Sequence, residues 1–157
     1  MTAPSARSSY ASMVSLIEVP ILNEKYWSKV PGLDADGIML DLEDSAPPAQ
    51  KSAVRAAVVD ALRNPGYFGG RRVVVRCNNL DSPWGREDLE ALAGAATEFV
   101  VSYPKIEHVG ELDALAGILG ECARVHVMIE TPAALIHVDE IAAHRSVVGL
   151  HYGYVDF

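Results

Sequence analysis

Short runs of β-branched and aliphatic residues alternate along this chain with polar turns and with stretches whose apolar positions recur every three to four residues. The run MVSLIEV (13–19) predicts a strand that Pro20 ends, and NEKYWSKV (23–30) predicts a short helix. DGIMLDL (36–42) predicts a second strand. PPAQKSAVRAAVVDALR (47–63) predicts the longest helix, its prolines in the first turn where a missing N–H is harmless, with Val54, Val58, Ala61 and Leu62 on one face. The turn NPGYFGG leads to a strand at RRVVVRCN (71–78). A helix follows at GREDLEALAGAA (85–96), with acids in its first turn where they oppose the positive end of the helix dipole. The same alternation continues: strand 98–104, helix 108–123, strand 124–130, helix 132–144 and strand 146–153.

Five strand–helix units and a sixth strand imply parallel strands joined by right-handed crossovers. Two α/β architectures satisfy this pattern, an open doubly wound sheet and a (β/α)8 barrel. With 157 residues, a barrel is short of roughly two units. The expected organisation is a flexible leader over residues 1–12 and one domain over 13–157.

Composition narrows the function classes. The formal net charge of −8, with no block of Lys or Arg, argues against a nucleic-acid surface. No apolar run is long enough to cross a membrane, and the N-terminus lacks the layout of a signal peptide, so a cytoplasmic location is expected. Cys77 and Cys122 lack metal-like spacing and read as two free thiols. Glycine-rich nucleotide-binding patterns are absent. His126, His137, His144 and His151 share no spacing and read as core or surface residues.

Parallel α/β folds carry their chemistry at the carboxyl ends of the strands. Those ends here hold Asp41, Glu43 and Asp44; Arg76 and Asn78; Lys105 after Pro104; Glu130; and, beyond the last strand, Asp156. Strand alternation sets Asp41 and Glu43 on the face of Met39, Arg76 and Asn78 on the face of Val74, and Glu130 on the face of Met128 and His126. Each group also has a structural alternative. Asp44 or Ser45 suits a helix cap, Glu43 a pair with Lys51 or Arg55, and Glu130 the N-terminus of the next helix. Glu130 and Asp156 together suit a hard divalent ion such as Mg²⁺ (or Mn²⁺). Arg76 suits a bidentate grip on a substrate carboxylate. Such a set can make or break a C–C bond beside a carbonyl, with the acids of 41–44 lining the mouth, orienting Arg76 or moving a proton.

The blocks IMLDLEDSAPPAQKSAVRAAV, VVVRCNNLDSPWGREDLEAL, YPKIEHVGEL, VMIETPAALIHVDEIA and GLHYGYVDF keep, in order, the motifs of the citrate lyase β-subunit family, within the HpcH/HpaI aldolases, which this chain resembles from about residue 37 onward. The resemblance implies a TIM barrel of the phosphoenolpyruvate/pyruvate type, of which about six strands are present. It implies a Mg²⁺-dependent carbon–carbon lyase acting on citryl-CoA, malyl-CoA or related β-hydroxyacyl thioesters or acids. Partners would be a small keto acid or CoA thioester, and further copies of the chain in a trimer or hexamer. By the same resemblance Glu130 and Asp156 bind Mg²⁺. Arg76 binds the substrate's carboxylate or keto oxygen. Glu43 and Asp44 join Arg76 in the active site, and Lys105 lies at its edge; Asn78 and Asp41 complete the substrate-binding set. The chain departs from the family where Val14 replaces an Arg, where Glu18 occupies a normally apolar place, and at His151 and Tyr152. Its end after Asp156 reads as a C-terminal truncation. Two other readings are a non-catalytic subunit or scaffold, and a class II pyruvate aldolase on free acids.

Overall fold

A computed structural model describes residues 10, 12–95, 98–120 and 123–157. Cys122 and most of the expected leader lie outside them, as do residues 96 and 121–122 of two expected helices, which end earlier, at Ala93 and Leu119. Six strands form one sheet: β1 (Leu16–Val19), β2 (Gly37–Asp41), β3 (Arg72–Arg76), β4 (Val100–Tyr103), β5 (Val125–Ile129) and β6 (Val147–Tyr152). All pairs are parallel. The sheet order is the chain order from β1 to β6. A doubly wound sheet reverses its order at a switch point. This sheet never does, so of the two architectures open to the sequence it follows the barrel, in a TIM-barrel-like arc that is not closed.

The helices are α1 (Glu24–Trp27), α2 (Lys51–Leu62), α3 (Gly85–Ala93), α4 (Gly110–Leu119), α5 (Pro132–Ile136) and α6 (Val138–Ala143). Three expectations change in detail. The helix at 23–30 is a single turn followed by a 3₁₀ turn at Val30–Gly32. Pro47 and Pro48 lead into a 3₁₀ turn, and α2 proper begins at Lys51. The helix at 132–144 breaks at His137, whose φ of −98° and ψ of 14° leave the α region.

One face of the sheet makes the core. Ile38, Leu40 and Leu42, Val73 and Val75, Val101 and Tyr103, and Val125, Val127 and Ile129 pack against Val54, Val58, Leu62, Leu89, Leu92, Leu112 and Leu115 of the helices. Each of these side chains contributes about 1.5–3 kcal/mol by leaving water. Successive strand residues point to opposite faces, so the other face receives Met39, Asp41, Val74, Arg76, Ser102, His126 and Met128. Register aligns them: Asp41 lies beside Arg76, Arg76 beside Ser102, and Ser102 beside His126. A cavity of about 530 Å³ opens on this face, lined in part by Glu18, Met39, His126 and His151. Among the described residues no helix is long and apolar enough to cross a membrane.

Candidate active site

The carboxyl ends of β2 to β6 bring most of the expected polar residues together in a charged cluster. At its centre is Arg76, the last residue of β3. Its Nε donates to Asp41 Oδ1 and its Nη2 to Asp41 Oδ2, both at 2.7 Å. Glu18 Oε2 lies 3.5 Å from Nη2, Glu43 Oε2 3.6 Å from Nε, and Asp44 Oδ2 3.6 Å from Nη1. Burial works against the guanidinium's charge, but Asp41, Glu18 and Glu43 outweigh it and hold its pKa well above the ordinary value.

Asp41 holds Arg76 through both of its carboxylate oxygens. It is almost fully buried, and both oxygens are occupied. Oδ1 also accepts the Glu43 N–H and Oδ2 the Ser45 N–H. Burial alone would raise its pKa; Arg76 and the two backbone donors reverse this and lower it. The capping role expected of Asp44 or Ser45 is not taken up, since neither the 3₁₀ turn at Pro48–Gln50 nor α2 has a side-chain cap.

Asn78 does not share the face of Arg76 that strand alternation predicts. β3 ends at Arg76, so strand alternation no longer governs residue 78. Its amide nitrogen donates to Leu42 O and Asp88 Oδ2, and its oxygen accepts from Lys51 Nζ at 2.8 Å. Asn78 therefore faces the helices, not the mouth where Arg76 lies.

Lys105 links three strand ends. Its backbone adopts a left-handed φ of 52°, unusual for a residue other than glycine. In that conformation its N–H donates to Glu130 Oε1 at 2.7 Å. Its Nζ donates to Glu43 Oε1 at 2.5 Å and lies 3.4 Å from Asp156 Oδ2. Burial opposes the ammonium, yet Glu43, Asp44 and Asp156 push its pKa up to about 12. Glu43 is itself raised, by burial first, with Lys105 pulling the other way.

Glu130 follows β5 and is buried. It does not cap the next helix; Thr131 does, its Oγ1 accepting the Ala134 N–H at 3.0 Å while donating to Ile106 O. Among the described residues Glu130 Oε2 accepts no hydrogen bond, and it faces Gly153. A Cβ at residue 153 would sit 2.4 Å from Oε2, so only glycine leaves this oxygen its space. Burial raises the Glu130 pKa, and Glu43 and Asp156 add to the shift against the Lys105 N–H. No three acidic, His or Cys groups among the described residues are gathered closely enough to hold a metal as they stand. Cys77, the one described cysteine, is buried and free.

The sequence reading underweighted Lys51. Its Nζ donates to Leu42 O, Glu43 O and Asn78 Oδ1 and lies over the Trp84 ring. Lys51, Val54, Val58 and Leu62 form the buried stripe of α2, so a lysine in register with that stripe was the available signal. Glu18, noted only as a departure, faces Arg76.

The family model described as HpcH/HpaI aldolase/citrate lyase matches residues 19–157. A (3S)-malyl-CoA thioesterase from Cereibacter sphaeroides is 34% identical over 142 residues, which are 90% of this chain and 49% of that protein. A citrate lyase subunit beta from Leuconostoc mesenteroides is 31% identical over 134 residues, covering 78% of this chain and 44% of its own. The crystal structure of protein CitE from Mycobacterium tuberculosis, in complex with magnesium, acetoacetate and coenzyme A, matches with a TM-score of 0.75 at 31% identity, over 93% of this chain and 51% of that one. The chain thus spans about half the length of the curated relatives it matches. Ordered motifs, unreversed sheet and family match together place this chain in the HpcH/HpaI aldolase/citrate lyase family.

Proposed function

We propose that this chain carries the divalent-cation and carboxylate-binding part of a carbon–carbon lyase, which cleaves or forms a β-hydroxyacyl-CoA or hydroxy acid of the citryl- or malyl-CoA type. The observation that carries the reading is Glu130: one oxygen is pinned by the Lys105 N–H, the other is bare beside Gly153, and Asp156 lies on the same lysine. These are two hard carboxylate donors, the number and type by which Mg²⁺ or Mn²⁺ is held when water and substrate oxygens complete its shell. Glu130 and Asp156 would hold the ion. When bound, it supplies Lewis-acid polarisation of a substrate carbonyl or carboxylate oxygen. Arg76, held by Asp41, would bind an anionic substrate oxygen through Nη1 and Nη2, which Asp44 and Glu18 now approach at 3.6 and 3.5 Å. Glu43, with its raised pKa, is the group that holds or moves a proton, and Asp44 tunes the charge at Nη1. In the CitE structure named above, magnesium, acetoacetate and coenzyme A bind together, which supports this ligand set.

Calorimetric titration of Mg²⁺, alone and with pyruvate or oxaloacetate, tests the assignment. Glu130→Gln and Asp156→Asn are each expected to weaken binding at least about tenfold, and unchanged binding in both would remove the metal site. The thioesterase relative favours a second reading, hydrolysis of the thioester. The two differ in product: a lyase gives a keto acid and a shorter acyl-CoA, a thioesterase gives free CoA thiol and the intact acid. Turnover of free acids without CoA would instead mark a class II pyruvate aldolase. Ligand binding with no turnover of any of these would mark a non-catalytic subunit.

A further inference from the structure

Three strand ends meet at one side chain. Lys105 touches Glu43 from the β2 end and Asp156 beyond β6 through its ammonium, and Glu130 from the β5 end through its backbone N–H. The two kinds of contact are independent. The N–H reaches Glu130 because of the left-handed backbone, whatever side chain residue 105 carries. The ammonium lies between Glu43, which Arg76 Nε also approaches at 3.6 Å, and Asp156. Its two ion pairs are unequal: 2.5 Å to Glu43 Oε1, whose side chain is 11% exposed, and 3.4 Å to Asp156 Oδ2, whose side chain is 38% exposed. The lysine side chain is itself 44% exposed, so it has an open side toward which to move.

We propose that Lys105 is the resident counter-cation of this acidic mouth, that its ammonium competes with the divalent cation for Asp156, and that cation binding shifts it from Asp156 onto Glu43 alone. This rests on the assignment of Glu130 and Asp156 as cation ligands and adds what controls their affinity. Two like charges cannot share one carboxylate without strong repulsion, so each entering cation must displace the ammonium or bind against its field. The field is partly screened by solvent at a half-exposed lysine, which limits the effect to about one order of magnitude in affinity. Lys105 is thus a positioning residue that lowers cation affinity and keeps Glu43 charge-balanced when no ion is present.

The test is the binding of Mn²⁺ alone to the full chain, read by electron paramagnetic resonance at low ionic strength. Lys105→Gly and Lys105→Asn both remove the ammonium, and both residues tolerate a φ of 52°, so the N–H to Glu130 and the fold are retained. Each is expected to bind Mn²⁺ about tenfold tighter than the wild type, whereas Lys105→Arg, which keeps the charge, stays within about twofold. Equal or weaker binding by the Gly and Asn variants, with wild-type binding abolished by Glu130→Gln, overturns the inference and leaves the cation site standing. Absence of Mn²⁺ binding in wild type and Gly variant alike overturns the site itself and this inference with it.

Discussion

Asp41 sets the behaviour of its neighbours at the scale of single residues. It closes a turn through the Glu43 and Ser45 N–H groups and fixes Arg76 in one orientation. Its pKa is below the ordinary 3.8 in the folded chain, despite burial, because Arg76 and the backbone donors favour the charged form. As pH falls, the unfolded chain therefore takes up this proton first. The stabilisation is complete above 3.8 and is lost as pH drops through the folded value. Glu18, Glu43 and Glu130 act in the opposite sense: burial raises each above 4.5, so the folded chain takes up their protons first, and stability rises as pH falls toward 4.5. The melting temperature is expected to rise from neutral pH into this mildly acidic range and to fall below 3.8. Asp41→Asn should flatten that acid limb. A variant whose acid limb matches the wild type would show that the Asp41–Arg76 pair does not set it.

At the scale of elements, α2 is fastened to the strand ends by its first residue. Lys51 is 6% exposed and uses all three N–H donors on Leu42 O, Glu43 O and Asn78 Oδ1. Asn78 in turn binds Asp88 of α3, which binds Arg55 of α2. The loop that carries Glu43 and the segment that follows Arg76 at the end of β3 are thus braced from the helix side by one buried polar network. Replacing Lys51 by Met takes a donor from three buried acceptors and leaves Asn78 Oδ1 with none, while Leu42 O keeps the Asn78 amide and Glu43 O the Ala46 N–H. The expected cost is about 3 kcal/mol in urea unfolding, together with weaker substrate-anion binding through loss of Glu43 and Arg76 geometry. A loss below about 0.5 kcal/mol would mean that water replaces the ammonium in full.

At the scale of the molecule, the sheet has two edges among the described residues: β1 pairs there only with β2, and β6 only with β5. Next to the β6 edge, Tyr152, Tyr154, Val155 and Phe157 are exposed. Exposed strand edges and apolar side chains favour association. A polypeptide of these 157 residues is therefore expected to sediment as a species larger than a single copy. A single-copy species at tens of micromolar would remove that expectation.

Much of this was written in the sequence. The alternation of strand and helix was legible because hydrophobic period is local, and the clustering of Asp41, Glu43, Arg76, Lys105, Glu130 and Asp156 followed from their place at strand ends in a parallel fold. What the linear pattern does not carry is where each side chain turns once its strand stops. Asn78 follows the end of β3 by two residues, so its direction was set by Lys51 and Asp88 from other elements. The left-handed backbone of Lys105, the glycine space beside Glu130 Oε2, and the choice between a reversing and a non-reversing sheet depend on groups far apart in the chain. Sequence determined which residues stand at the strand ends, because periodicity is a short-range property. Only the tertiary structure decided which of them face one another, because charge pairing and close packing act through space.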